Sequence, residues 1–219
     1  MNFYAHQKVS FVDYPGKIST LLFVSGCNFF CEYCHNYTLQ KKLEHTITED
    51  DIIQFLNKKK GKIDAIVITG GEPALYSNEI LNFFSRIKNE FPEILTKFDT
   101  NGSFPEVFKK LKDVTDFVAM DFKSLDYSLF SNISFNTILE SLNNINLIKD
   151  YEIRITMYPP YIKESDFEKI ADILKNNKKV VLQQYVKQPF NTAEPYPEKI
   201  LYDFATILKS KNIEVEVKI

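Results

Sequence analysis

Long apolar runs are absent from this chain of 219 residues. No uncharged apolar stretch approaches the roughly 18 residues that a membrane-spanning helix requires. The first ten residues are polar and lack the basic and then apolar order of a secretory signal. With 44% hydrophobic and 26% charged residues, the composition is typical of soluble globular proteins. We therefore expect a cytoplasmic protein that does not associate with a membrane.

A surplus of charge of either sign is also missing. The chain has 27 basic and 29 acidic residues, which gives a formal net charge of −2. Such a balance creates no overall field that would attract nucleic acid. Linker-like composition, internal repeats and low-complexity tracts are absent as well. We therefore expect one domain over residues 1–219 and no nucleic-acid partner.

Cysteine is scarce, and all three cysteines lie within eight residues of the stretch GCNFFCEYCHN at positions 26–36. A chain of this length can bury roughly 70% of its unfolded surface, so it needs no disulfide to hold a core. The odd number of cysteines also argues against disulfides. Three thiols crowded into a polar loop that starts with glycine are unusual as core packing. A bound metal or cluster is the better explanation.

A regular alternation of strand-like and helix-like segments runs through the rest of the chain. Six short β-type runs end in polar residues, at positions 18–25, 64–69, 95–100, 117–122, 152–158 and 180–185. Amphipathic stretches with helical spacing lie between them. Thr48 is a predicted helix N-cap, and Ser165 with Glu168 is a predicted capping box.

This alternation predicts an α/β fold. Successive strand–helix–strand units with right-handed crossovers build a parallel sheet, and six or seven of them favour a curved sheet with outer helices. We expect a partial (β/α)6 TIM-like barrel over residues 18–185. Residues 1–17 would pack ahead of the first strand as an extension. Residues 186–219 would form a loop, a last helix and a terminal strand, where IEVEVKI is a seventh strand or an edge addition.

The cysteine loop follows the first predicted strand, at the face where barrel enzymes place their active sites. Its thiols have a C-x3-C-x2-C spacing, at Cys27, Cys31 and Cys34. A structural zinc ion could bind them with one histidine, His6, His35 or His45. The run CEYCH also matches a c-type haem attachment sequence, a pattern of exported proteins. A third possibility is an iron–sulfur cluster held by three thiolates, which leaves one iron open.

The cysteine spacing, with Tyr33 before the last cysteine, resembles the signature of radical S-adenosylmethionine (SAM) enzymes. The run CHN that ends it is similar to the glycyl-radical-enzyme activases. The segments VDYPGKI, ITGGEP, DTNGS and AMDFK resemble one branch of these, the activating proteins of anaerobic ribonucleoside-triphosphate reductase. The similarity extends from about residue 10 to residue 185, with the motifs in family order.

The resemblance implies one [4Fe-4S] cluster on the three cysteines and SAM at its open iron. Reductive cleavage of SAM would give methionine and a 5′-deoxyadenosyl radical, which would take a hydrogen atom from a glycine of a partner enzyme. The implied partner is anaerobic ribonucleotide reductase, with flavodoxin or ferredoxin as electron donor. A fourth cysteine is missing, so an auxiliary cluster is excluded. The alternatives are a pyruvate formate-lyase activase, a radical SAM enzyme acting on a small molecule, and a structural zinc-binding module.

The motif TGGEP ends the second predicted strand. Its glycines let backbone carbonyls approach a ligand closely, and Glu72 adds an acceptor. The resemblance implies that Gly70, Gly71 and Glu72 hold the amino group of SAM. A tight glycine turn capped by Glu72 is the alternative. Tyr33 is expected to pack against the adenine, with a buried core tyrosine as the alternative.

The motif DTNGS ends the third predicted strand, and MDFK ends the fourth. They present hard oxygen ligands, which suit a hard cation. In related activases, the residues equivalent to Asp99, Thr100 and Asp121 are implicated in a monovalent-cation site beside the carboxylate of SAM. Asn101 belongs to the same expected binding surface. Turn-forming Asp and Asn-Gly chemistry is the alternative.

Two cationic residues complete the expected SAM site. Lys123 lies two residues after Asp121, so its side chain is expected to point to the same face of the strand. Arg154 lies within an apolar strand, where a charge requires a carboxylate partner. The resemblance implies that both meet the SAM carboxylate, and a structural ion pair is the alternative. Some activases contact the ribose with a histidine where this chain has Val186, and Gln184 or Gln183 is the expected substitute.

Overall fold

The chain forms an α/β structure in the computed structural model, which describes all 219 residues. Ten strands are present: β1 (Asn2–Phe3), β2 (Ala5–Ser10), β3 (Ser19–Val24), β4 (Ile47–Thr48), β5 (Ala65–Gly70), β6 (Leu95–Thr100), β7 (Phe117–Asp121), β8 (Asp150–Met157), β9 (Lys179–Gln184) and β10 (Glu214–Lys218). Six α-helices accompany them: α1 (Glu49–Lys58), α2 (Ser77–Glu90), α3 (Glu106–Leu111), α4 (Phe135–Asn144), α5 (Phe167–Leu174) and α6 (Glu198–Ser210). None of these helices has both the length and the apolar composition that crossing a membrane requires.

Eight of the strands form one sheet in the order β10-β9-β8-β7-β6-β5-β3-β2. Seven of them, β3 and β5 to β10, run parallel, whereas β2 is antiparallel to β3 at one edge. A helix follows each parallel strand except the last, which gives six βα units. The predicted α/β fold with a mostly parallel, curved sheet is confirmed. The terminal segment is a seventh parallel strand that also forms the other edge.

The strand boundaries agree with the sequence-based expectation to within two residues at each end. Parallel strands that are buried on both faces read as apolar runs, which explains the agreement. The extension at residues 1–17 was not expected to join the sheet, yet it contributes β2. A second, antiparallel pair joins β1 to β4.

Helix starts give one correct and one wrong prediction. Thr48 caps α1: its side chain accepts from the Asp51 N–H at 3.2 Å, and the Asp51 carboxylate accepts from the Thr48 N–H at 2.9 Å. Ser165 does not cap α5, which begins at Phe167 after a single 3₁₀ turn over residues 164–166. Ser165 lies inside that turn, so it lacks the extended backbone that an N-cap residue adopts.

The two faces of the sheet carry different side chains. The face beneath the helices contributes to a core of 51 buried residues, among them Phe98 and Ile153. The inner face has a smaller apolar cluster, in which Tyr14 packs on Phe117 with ring centroids 5.5 Å apart. Since strand side chains alternate between faces, the inner face of β6, β7 and β8 becomes charged toward the carboxyl ends. This alternation places the candidate site inside the curve of the sheet.

Candidate active site

A cavity of about 470 Å³ opens at the carboxyl ends of the parallel strands. Residues from the cysteine loop, from β5 to β9 and from the loops after them line it. All but one of the residues expected from sequence are among them: Cys27, Cys31, Tyr33, Cys34, Gly70, Gly71, Glu72, Asp99, Thr100, Asn101, Asp121, Lys123 and Arg154. The exception is Gln184.

Backbone hydrogen bonds hold the first part of the cysteine loop. The Gly26 N–H donates to the carbonyls of Leu39 and Lys41 at 2.8 and 3.0 Å, and the Cys27 N–H donates to Gln40 at 3.1 Å. Gly26 has a φ of 89°, a conformation that favours glycine. The loop is therefore closed on itself by the segment that follows it, with its thiols turned to the cavity.

Cys31 is buried, whereas Cys27 and Cys34 are partly exposed. Burial raises the pKa of Cys27, and it raises that of Cys31 to about 11 against the opposing effect of Lys123. The Phe29 N–H lies 3.4 Å from the Cys27 sulfur, and the Asn101 amide lies 3.8 Å from it. These donors suit a thiolate. Because the pKa values of Cys27 and Cys31 are raised, ligation through these two thiols would have to displace their protons.

The three thiols that line the cavity fit the ligand set of an iron–sulfur cluster with one open iron. No three His, Cys, Asp or Glu side chains converge on a point where one metal ion could bind. A zinc ion needs sulfur ligands within about 2.3 Å, whereas a cluster distributes its thiolates over separate irons. Two of the candidate fourth ligands are engaged elsewhere: His45 accepts from the Ser25 N–H at 3.0 Å, and His6 contacts Thr20 at 2.7 Å.

The glycines of TGGEP allow two loops to approach closely. A Cβ at Gly70, whose φ is 116°, would overlap the carbonyl oxygen of Val24, and one at Gly71 would overlap that of Gly26. The Gly71 N–H donates to Val24, and the Glu72 N–H donates to Gly26, both at 2.8 Å. The glycine turn therefore supports the start of the cysteine loop, as the turn alternative expects.

Glu72 joins the glycine turn to the DTNGS loop. Its Oε1 accepts from the Ala74 N–H at 2.9 Å and from the Thr100 hydroxyl at 2.7 Å, while Oε2 accepts from the Asn101 N–H at 2.7 Å. Burial raises the pKa of this carboxyl to about 7, although the three donors oppose the shift. The side chain is 1% exposed, so its contacts are chiefly internal.

A chain of five alternating charges crosses the inner face of β6, β7 and β8. Asp99 lies between Lys97 and Arg154: Lys97 Nζ is 3.0 Å from Oδ1, and Arg154 Nη1 is 3.3 Å from Oδ2. Asp121 lies between Arg154 and Lys123, with Arg154 Nε 2.8 Å from Oδ1 and Lys123 Nζ 3.0 Å from Oδ2. The expected carboxylate partners of Arg154 are therefore both present.

These ion pairs shift the pKa values of Asp99, Asp121, Lys123 and Arg154 in the direction that favours their charged forms. Burial alone would raise the pKa of the aspartates, but Arg154 and the lysines outweigh it and hold that of Asp121 at about 2 and that of Asp99 below its usual value. Asp121 likewise outweighs burial and raises the pKa of Lys123. Lys123 and Arg154 line the cavity, so their cationic N–H groups can bind an anionic ligand group such as a carboxylate.

The oxygen ligands expected for a monovalent cation already face cationic side chains, although Asp99 Oδ1 receives no hydrogen bond. Each of the four carboxylate oxygens of Asp99 and Asp121 has a cationic nitrogen within 3.3 Å. The Thr100 hydroxyl donates to Glu72 and accepts from the Gly102 N–H at 3.2 Å. A further cation would meet three like charges. The residues present therefore do not fit the expected monovalent cation.

Tyr33 is both a buried aromatic residue and part of the cavity wall. Its ring lies 4.9 Å from that of Tyr158 and 5.4 Å from that of Tyr161, and Lys123 Nζ lies 5.8 Å from its centroid. The side chain is 5% exposed. Both sequence interpretations of Tyr33 are compatible with this position.

Sequence reasoning missed Lys97, and of the two glutamines expected at the ribose only one lines the cavity. Gln183 lines the cavity, whereas the Gln184 amide donates to the Tyr196 carbonyl at 2.8 Å, away from the cavity. Gln183 pairs with Thr156, which also lines the cavity, so alternation along β9 would have selected it. Lys97 lies two residues before Asp99 and shares its face. This two-residue spacing could have indicated that Lys97 lies beside Asp99.

Comparison with known proteins identifies the family of this chain and its relatives. Residues 21–175 match the family model described as the Radical SAM superfamily. A protein of Methanocaldococcus jannaschii, named provisionally as a glycyl-radical enzyme activating enzyme, is 33% identical over 192 residues, covering 81% of this chain and 77% of the relative. The pyruvate formate-lyase-activating enzyme of Streptococcus mutans is 28% identical over 199 residues, with 83% and 74% covered.

Solved structures confirm the fold. A radical SAM methyltransferase from Sphaerobacter thermophilus superimposes with a TM-score of 0.76 at 14% identity, covering 96% of this chain and 68% of that one. A domain of a pyruvate-formate lyase-activating enzyme from Bacteroides vulgatus gives a TM-score of 0.59 at 18% identity, with 69% and 96% covered. At these identities, the likeness concerns the architecture alone.

Proposed function

Because the chain belongs to the radical SAM superfamily and is homologous to glycyl-radical enzyme activating enzymes, we propose that it generates a glycyl radical on a partner enzyme. The observation that carries this proposal is the cavity, which brings the three cysteines together with the cationic side chains of Lys123 and Arg154. The family implies a [4Fe-4S] cluster and SAM. We take residues 1–219 as a single domain and the cytoplasm as its location.

The cysteines would hold the cluster through their three sulfurs, Cys27, Cys31 and Cys34. When bound, a reduced cluster would supply the one electron that cleaves the C5′–S bond of SAM into methionine and a 5′-deoxyadenosyl radical, which would take a hydrogen atom from glycine. The chain's own part is to bind and orient these groups and to keep water out. The Asn101 amide lies 3.8 Å from the Cys27 sulfur and donates to the Asn28 side chain at 2.9 Å. These contacts hold Asn101 in place beside Cys27.

The SAM contacts follow from what faces the cavity. Lys123 and Arg154 would receive the carboxylate, since they are the lysine and the arginine that line the cavity. Backbone carbonyls of Gly70 and Gly71 would receive the ammonium group, with Glu72 holding their loop in place. Tyr33 would pack against the adenine. Gln183 replaces Gln184 as the residue proposed for the ribose, because only Gln183 lines the cavity.

We propose anaerobic ribonucleotide reductase as the partner enzyme, with flavodoxin or ferredoxin as the electron donor. The motifs VDYPGKI, DTNGS and AMDFK support that branch. The second candidate partner is pyruvate formate-lyase, which the names of the relatives from Streptococcus mutans and Staphylococcus aureus favour.

The test begins with anaerobic reconstitution of the chain with iron and sulfide, followed by reduction and addition of SAM. We expect 5′-deoxyadenosine that depends on the reductant, and none from Cys34→Ala. Lys88→Met is the matched control, because Lys88 pairs with Asp116 away from the cavity. A chain that binds stoichiometric zinc and forms no product would refute the enzyme assignment.

The partner is tested next by electron paramagnetic resonance. The active chain is mixed with anaerobic ribonucleotide reductase or with pyruvate formate-lyase, each from the same source as this chain. We expect the glycyl-radical doublet with the reductase. A doublet with the lyase alone would move the assignment to the second candidate.

A further inference from the structure

Lys97 is a buried lysine at the centre of β6. Its side chain is 2% exposed, and Nζ donates to the Asp13 carbonyl at 2.6 Å and lies 3.0 Å from Asp99 Oδ1. A buried ammonium is stable only when such partners are present. The Lys97 ammonium is therefore held on two sides, by Asp13 of the N-terminal extension and by Asp99, the aspartate of DTNGS.

Asp99 connects Lys97 to the cavity, because it pairs with Lys97 on one side and with Arg154, which lines the cavity, on the other. Lys97 itself does not line the cavity, but Asp99 does, and Asp99 Oδ2 accepts from the Thr69 hydroxyl at 2.9 Å and from Arg154. The ammonium thus balances one carboxylate oxygen while the other orients Arg154. Asp99 is one of the three residues at which the resemblance implied a monovalent cation.

We propose that the Lys97 ammonium takes the place of a monovalent cation beside Asp99, so that this chain binds SAM without a bound metal cation. An ammonium carries the same single charge as such a cation, and its attachment to the backbone makes it permanently present. Lys97 acts through Asp99 and is therefore a positioning residue. The inference rests on the proposed function, because SAM is the ligand concerned.

The first experiment measures equilibrium binding of SAM to the reconstituted wild-type chain. Binding is compared in chlorides of potassium, sodium and tetramethylammonium at equal ionic strength, so that general screening is constant. We expect dissociation constants that agree within about twofold, as no site is left for the smaller cations. Tight binding only in potassium or sodium would overturn the proposal.

The second experiment removes the ammonium with Lys97→Met, which keeps the length of the side chain. We expect SAM binding to weaken about tenfold in tetramethylammonium, a coupling of ordinary size, and to recover when potassium is added. Lys88→Met removes another aspartate-paired lysine outside the cavity and should show no cation effect. Affinity of Lys97→Met equal to wild type in every salt would also overturn the proposal.

A third measurement does not depend on SAM or on a soluble variant. Thallium(I), a potassium substitute, is titrated into the cluster-free wild-type chain and followed by thallium-205 magnetic resonance. We expect no saturable site, and a saturable site that Asp99→Asn abolishes would refute the proposal. Failure of SAM to bind in any salt would count against the proposed function, while the thallium result would still decide whether the ammonium fills this position.

Discussion

Replacing Gly71 by alanine should separate the glycine turn from the cysteine loop. The added Cβ would overlap the Gly26 carbonyl oxygen and lie 2.8 Å from its carbon and 2.9 Å from the Leu39 oxygen. All three atoms belong to the backbone, so no side-chain rotation can relieve the contact. The two segments must move apart, although this change leaves the backbone conformation of residue 71 itself accessible to alanine.

The expected cost follows from what that movement breaks. Forcing a methyl group into packed structure costs about 1–3 kcal/mol. The hydrogen bonds from the Gly71 N–H to Val24 and from the Glu72 N–H to Gly26, both 2.8 Å long, contribute about 1 kcal/mol each. Since movement relieves part of the clash, we expect a total loss of about 2–4 kcal/mol.

Urea unfolding of the cluster-free chain measures this loss, and iron content after reconstitution measures its effect on the site. Gly61→Ala is the control: Gly61 has a φ of 73° but nothing within 4 Å of an added Cβ. It should cost about 1–2 kcal/mol through backbone strain alone and leave iron content unchanged. A Gly71→Ala chain as stable as wild type and fully loaded with iron would refute the close approach described here.

Two further changes test the charges of the site. Glu72→Gln should flatten the pH dependence of the free energy of unfolding. The Glu72 carboxyl has a pKa of about 7 when folded and 4.5 when unfolded, so the free energy of unfolding of the wild type falls as pH rises between those values. Urea titrations from pH 5 to 8 measure this slope, and a slope equal to that of the wild type would contradict the prediction. Arg154→Lys should weaken SAM binding about tenfold, because a lysine lacks the planar fork that bridges Asp99 and Asp121. Wild-type affinity would show that this bridge does not orient the ligand.

Much of the site was predictable because its residues are anchored to strand ends. The runs that form the parallel strands are recognisable as apolar segments, and the carboxyl ends of parallel strands meet at one edge of the sheet. That geometry alone places Asp99, Asp121 and the cysteine loop together. The cysteine spacing indicated a bound metal or cluster, and the resemblance to radical SAM enzymes implied which one.

The remainder depended on tertiary contacts. From sequence alone, the lysine of LTKFDT, Lys97, would be expected to face solvent. Its burial depends on contacts with Asp13 and Asp99, which only the folded structure shows. Gln183 and Gln184 are adjacent, and a shift of one residue exchanges the faces of the sheet. Strand β2 was missed because its sequence, AHQKVS, lacks the apolar alternation that marks a strand. Its pairing with β3 is what makes it a strand.

The order of strands in the sheet has a consequence for how the chain acquires its structure during synthesis. From β3 to β10, each parallel strand pairs with the parallel strand that precedes it in sequence. A nascent chain can therefore add one unit at a time to a surface that already exists, without waiting for distant segments. We expect β3 and β5 to meet first, bringing the glycine turn against the cysteine loop. The loop would then be shaped long before the last strands leave the ribosome.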